Sequence, residues 1–105
     1  MTELELIFKE NAADIEKIHV AAQPTRLQIL NSLTKTEKLY ATNLGKELNV
    51  ERKVIAFHLN ALEKAGLVKS EYGLSYENRP SAVKYYQLTP KGRDILEKIL
   101  NMLKK

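Results

Sequence analysis

The stretch from residue 42 to residue 65 constrains the fold more tightly than any other part of the chain. Leu44 and Leu48 recur at helical spacing, Asn49-Val50 breaks the run, and Ile55, Leu59 and Leu62 then resume the same period. Asn49 suits the left-handed residue that ends a helix, and Val50 plugs the turn that follows. A glycine inside a helix costs about 1 kcal/mol relative to alanine, so Gly45 predicts a close approach between the two helices. The second helix is expected over residues 51–65, stopped by Gly66.

Other elements follow from the pattern on either side. Thr2 and Glu5 form a capping-box pattern ahead of an apolar stripe of Leu4, Ile7, Phe8, Ile15 and Ile18. The spacing predicts one helix to about Val20, or a pair broken near Asn11. Pro24 sits at a favoured first helical position, ahead of Leu27, Leu30 and Leu33. Leu39-Tyr40-Ala41 reads as a very short strand. Beyond Gly66 the period drops to two, and residues 67–76 and 82–88 predict a β-hairpin with a polar tip over residues 77–81. Thr89-Pro90 caps a last helix striped with Ile95, Leu96, Ile99, Leu100 and Leu103. The order is α-α-(β)-α-α-β-β-α, a mostly α chain with a small β-hairpin (α+β), in a single domain over residues 1–105.

Charge is unevenly placed. Residues 1–20 hold two lysines against five acidic residues, whereas residues 21–105 hold fifteen basic residues against eight acidic ones. A basic body behind an acidic first helix fits a polyanion-binding module joined to an interaction helix. The chain has no cysteine, which excludes disulfides, thiolate metal sites and a thiol nucleophile and fits a reducing cytoplasm. No apolar run approaches the roughly 20 residues a membrane span requires, and the acidic start is unlike a secretory signal. A cytoplasmic location without membrane contact is expected. Two distant histidines, His19 and His58, and no glycine-rich phosphate loop argue against catalysis.

Three segments carry a resemblance. They are Pro24-Thr25-Arg26-Leu27-Gln28-Ile29-Leu30, then the run from Leu59 through Ala65-Gly66-Leu67-Val68, then Tyr85-Tyr86-Gln87-Leu88-Thr89-Pro90-Lys91-Gly92. In this order and spacing the chain resembles ArsR-type winged helix-turn-helix regulators across residues 24–92. The resemblance implies a helix-turn-helix over residues 41–65, whose second helix enters the DNA major groove, and a wing over residues 67–89. It also implies a homodimer paired through terminal helices at residues 1–21 and 90–105, with Leu4, Ile7, Phe8, Ile15, Ile95, Ile99 and Leu103 at the interface. Metal-sensing members use cysteine or paired His, Asp and Glu ligands. With no Cys and two His, no metal and no cofactor are expected here.

At the start of the recognition helix, Glu51 replaces the usual Ser or Thr cap, and Val54, Ala56 and Phe57 stand where Ser, Thr and Arg are common. Double-stranded DNA would then be met by Arg52 and Lys53 as hydrogen-bond donors and by apolar contact with thymine methyl groups. Phe57 either faces DNA or a partner, or packs under the wing. Arg79 at the hairpin tip, Lys84 on the wing and Arg26 complete the candidate DNA contacts, with Lys69 and Lys91 adding general phosphate attraction. Tyr72, Tyr76, Tyr85 and Tyr86 read mainly as cross-strand packing, and His58 as a helix-packing residue. A transcriptional regulator, acting as a repressor, is the leading expectation. The alternative is a winged-helix protein-interaction module, motivated by the apolar, partly acidic reading head of Glu51, Ala56 and Phe57.

Overall fold

The computed structural model describes residues 1–75 and 81–104. Six helices and three strands follow in the expected order: α1 (Glu3–Glu10), α2 (Ala12–Ala21), α3 (Pro24–Lys35), β1 (Leu39–Tyr40), α4 (Ala41–Leu48), α5 (Arg52–Lys64), β2 (Val68–Ser75), β3 (Ser81–Leu88) and α6 (Pro90–Leu103). The antiparallel sheet has the order β1-β3-β2, with Leu39 opposite Tyr86 and Val68 opposite Leu88.

The first apolar stripe is a helix pair. Thr2 Oγ1 accepts from the Glu5 amide at 3.2 Å to start α1, and Asn11 ends it with φ −110° and ψ 13° before α2 begins. α1 buries no residue, and Leu4, Leu6, Ile7 and Phe8 are all exposed. α2, by contrast, packs on α6 and is tied to it by charge, because Asp14 pairs with both Lys91 and Lys98 at 2.7 Å.

The core is formed by the inward faces of α3, α4, α5 and α6 against the sheet. Ile29, Leu30, Leu44, Ile55, Leu59, Leu62, Leu67 and Ile95 are fully buried. Ile95 and Ile99, expected between protomers, therefore lie within the protomer's own core and have almost no surface left to offer a second chain. The stripe they begin runs on past that core, and Leu100, Met102 and Leu103 are exposed at its end. A periodic stripe tells which face of a helix is covered, not which chain covers it.

Thr89 and Gly92 lock α6 to the base of the hairpin. Thr89 Oγ1 accepts from the Gly92 amide at 2.9 Å and donates to the Gly66 carbonyl at 2.7 Å, while the Thr89 amide donates to Leu67 O at 3.1 Å. A Cβ on Gly92 would lie 1.9 Å from Leu67 O, so only glycine allows α6 this close. Among the described residues no helix is long and apolar enough to cross a membrane, and no group of three or more His, Cys, Asp or Glu could hold a metal ion.

Candidate nucleic-acid interface

α4 and α5 meet at a turn fixed by backbone geometry. Asn49 adopts the left-handed conformation (φ 55°, ψ 48°), and the amides of Asn49 and Val50 both donate to the Gly45 carbonyl. A Cβ on Gly45 would stand 2.9 Å from Val50 O, so the close approach is to the turn backbone, while the start of α5 at Arg52 lies at ordinary contact distance. α5 starts without a side-chain cap. The Glu51 side chain makes no capping bond, although its carbonyl accepts from Val54 and Ile55.

The far end of α5 is held more firmly. Gly66 (φ 77°) donates to Glu63 O and Leu67 donates to Leu62 O, the paired bonds of a Schellman motif. Lys17 from α2 reaches the Ala65 carbonyl at 2.9 Å, setting a cation against the negative end of the helix.

With Ile55, Leu59 and Leu62 turned inward, helical spacing gives α5 an outward ridge of Lys53, Phe57, Asn60 and Lys64, all exposed. Val54 and Ala56 flank it and are exposed too, Val54 at 41%. Phe57 is 65% exposed, so it does not pack beneath the wing. Its ring meets the His58 ring edge-on, with centroids 5.4 Å apart. Arg52 and Lys53 make no ion pair among the described residues. Arg52 instead lines a cleft between α5 and the hairpin, with Thr42, Ala56, Tyr72, Lys84 and Tyr86 on its other walls.

Several expectations from sequence change here. Arg26 is buried rather than turned toward phosphate; it donates from Nε to His58 Nδ1 at 3.0 Å and from Nη1 to Val20 O at 2.8 Å. Burial, and then the neighbouring Arg26 guanidinium, hold His58 below the ordinary imidazole pKa, in keeping with a packing role. Lys91 is committed to Asp14 and Asp94, while Lys69 stays exposed at the base of β2. Lys84 lines the cleft but is partly engaged, 3.9 Å from Glu63 and over the Tyr86 ring.

Among the tyrosines, Tyr86 is buried and Tyr85 packs edge-on against Tyr40, as cross-strand packing requires. Tyr72 does not follow: it is 76% exposed, opposite Lys84 on the face that borders α5. Arg79 and Tyr76 lie outside the described residues. Asn60 and Lys64 were missed from sequence, although counting helical turns forward from Lys53 finds them.

A short-turned helix pair, with a two-stranded wing beside its second helix, defines the winged helix-turn-helix class. Residues 23–70 match the family model described as "Bacterial regulatory protein, arsR family". An uncharacterised HTH-type transcriptional regulator of Methanocaldococcus jannaschii is 39% identical over 61 residues, covering 58% of this chain and 66% of that one, just under two thirds of its length. Among solved structures, a possible transcriptional regulator for arsenical resistance is 29% identical with a TM-score of 0.62, covering 83% of this chain and 82% of the other. The transcriptional repressor PagR of Bacillus anthracis is 25% identical with a TM-score of 0.67, covering 88% and 98%. Over residues 23–70 the chain is similar to the arsR family of bacterial regulatory proteins.

Proposed function

We propose that this chain is a cytoplasmic, sequence-specific DNA-binding repressor that acts as a homodimer on pseudo-palindromic double-stranded DNA. The observation that carries the reading is the exposed surface of α5, which presents Lys53 and Lys64 on the ridge of Phe57 and Arg52 at the cleft beside the hairpin, with no carboxylate paired to any of the three among the described residues. A protruding cationic helix fits a major groove about 12 Å wide, and its first-turn donors reach base edges and phosphates. Val54, Ala56 and Phe57 follow Arg52 and Lys53 into the groove. Lys84 approaches the flanking backbone. Nothing in this role requires catalysis, a cofactor or a metal.

The dimer reading rests on α1. An isolated eight-residue helix is marginal in water, and this one buries none of its side chains within the protomer. A second copy covering Leu4, Ile7, Phe8 and Ile15, together with Leu103, supplies the missing burial. It also sets two α5 helices about one DNA turn, roughly 34 Å, apart. The relative named as a transcriptional repressor supports repression over activation.

The test is a fluorescence-anisotropy titration of the protein against DNA from upstream of its own reading frame and against a scrambled duplex. Preference for the native fragment is expected. No affinity for either at low salt would favour the protein-interaction alternative, with Phe57 as its contact.

A further inference from the structure

We propose that Phe57, flanked by Val54, recognises thymine through its 5-methyl group and so makes the operator depend on thymine at a fixed position in each half-site. This rests on the DNA-binding reading above and specifies what the helix reads there.

The centre of the α5 ridge lacks the usual means of hydrogen-bonded readout. Its donors lie at the ends, with Lys53 one turn before Phe57 and Asn60 and Lys64 one and two turns after. The exposed side chains between them, Val54, Ala56 and Phe57, are all carbon, and His58 is half-buried with its Nδ1 taken by Arg26. In the major groove the only apolar feature that distinguishes one base pair from another is the thymine methyl. An aromatic ring on a ridge that also carries Lys53 and Lys64 suits a partner that is polyanionic outside and apolar at one point inside. A protein surface would instead have to bury those cations.

The ring is also held in place. The His58 ring supports it edge-on at 5.4 Å, and His58 is itself fixed by the Arg26 hydrogen bond of 3.0 Å. This one aromatic contact reduces the rotamer freedom lost on binding, which helps the methyl contact to appear as net affinity and discrimination.

The experiment begins with duplexes selected from a random library by the wild-type protein. The preferred duplex is then resynthesised with deoxyuridine in place of each thymine in turn, which removes only a methyl group. Wild-type affinity is expected to fall about fourfold at one symmetric position, the scale of one lost buried methyl. Phe57→Ala should weaken binding to the thymine duplex and respond no further to uracil at that position. Phe57→Leu should keep part of the discrimination. Because Phe57 is exposed, thermal melts of both variants should match the wild type. Equal wild-type affinity for thymine and uracil duplexes overturns methyl recognition while leaving DNA binding intact. Failure to select any duplex overturns both.

Discussion

Arg26 Nε donates to His58 Nδ1 across 3.0 Å, joining α3 to the recognition helix, and the same guanidinium holds the Val20 carbonyl at the end of α2. Together with the Lys17 bond to Ala65 O, this ties α5 to α2 at two points. The helix next to the proposed dimer face thus fixes the angle at which the reading head protrudes.

Arg26→Ala should leave both acceptors without their donor, at a cost of about 1–3 kcal/mol. Urea unfolding would measure it. An unchanged midpoint would show that the contact contributes nothing.

His58 adds a pH signature. Its folded pKa lies below the ordinary value of 6.5, so the unfolded chain binds the proton more readily. Its contribution to stability is complete above pH 6.5 and is lost as pH falls through the lower folded value. His58→Asn keeps an acceptor near Nδ1 and should flatten the melting temperature across that window. A wild-type-like slope in the variant would contradict the assignment.

Asp14 governs a lower window. Hydrogen bonds from Lys91, then Lys98, pull its pKa from 3.8 to about 2. The stabilising effect is present above pH 4 and disappears as pH drops from 3.8 toward 2. Asp14→Asn should remove this part of the acid sensitivity in thermal melts. Added salt should weaken the network in the wild type alone, because these charges are largely exposed.

Gly92→Ala tests the seat of α6. Alanine would ordinarily favour a helix by about 1 kcal/mol, but here its Cβ would meet Leu67 O at 1.9 Å. Moving α6 away should destabilise the fold by ~3 kcal/mol and lower the melting temperature by more than about 10 °C. A more stable variant would refute this packing.

Much of this was legible in the sequence because period and punctuation are local signals. Gly45, Asn49 and Gly66 mark the helix pair through backbone demands that are met wherever those residues fall. The charge partners were not legible. Arg26 looks like any early-helix arginine until His58, 32 residues later in the chain, folds against it. Ile95 and Ile99 share a stripe with Leu103, yet the protomer covers the first two and leaves the third exposed. Tyr72 carries a β-forming side chain whatever it faces, so only the register opposite Lys84 places it beside α5.

The apolar face of α1 gives a clean test of assembly. Ile7→Glu with Phe8→Glu changes only exposed positions, so the protomer should stay folded. Sedimentation velocity should show a shift from dimer to monomer. A monomeric wild type would contradict the homodimer reading, and a variant still dimeric would place the pairing surface elsewhere.

The central claim is that the first turn of α5 meets DNA. Its most direct test is the salt dependence of affinity for the selected duplex, measured for the wild type and for Arg52→Ala/Lys53→Ala. For the wild type, log affinity should fall steeply and linearly with log salt. The double variant should bind more weakly and lose about one unit of slope for each phosphate contact removed. Equal affinity and equal slope in the two proteins would contradict the account.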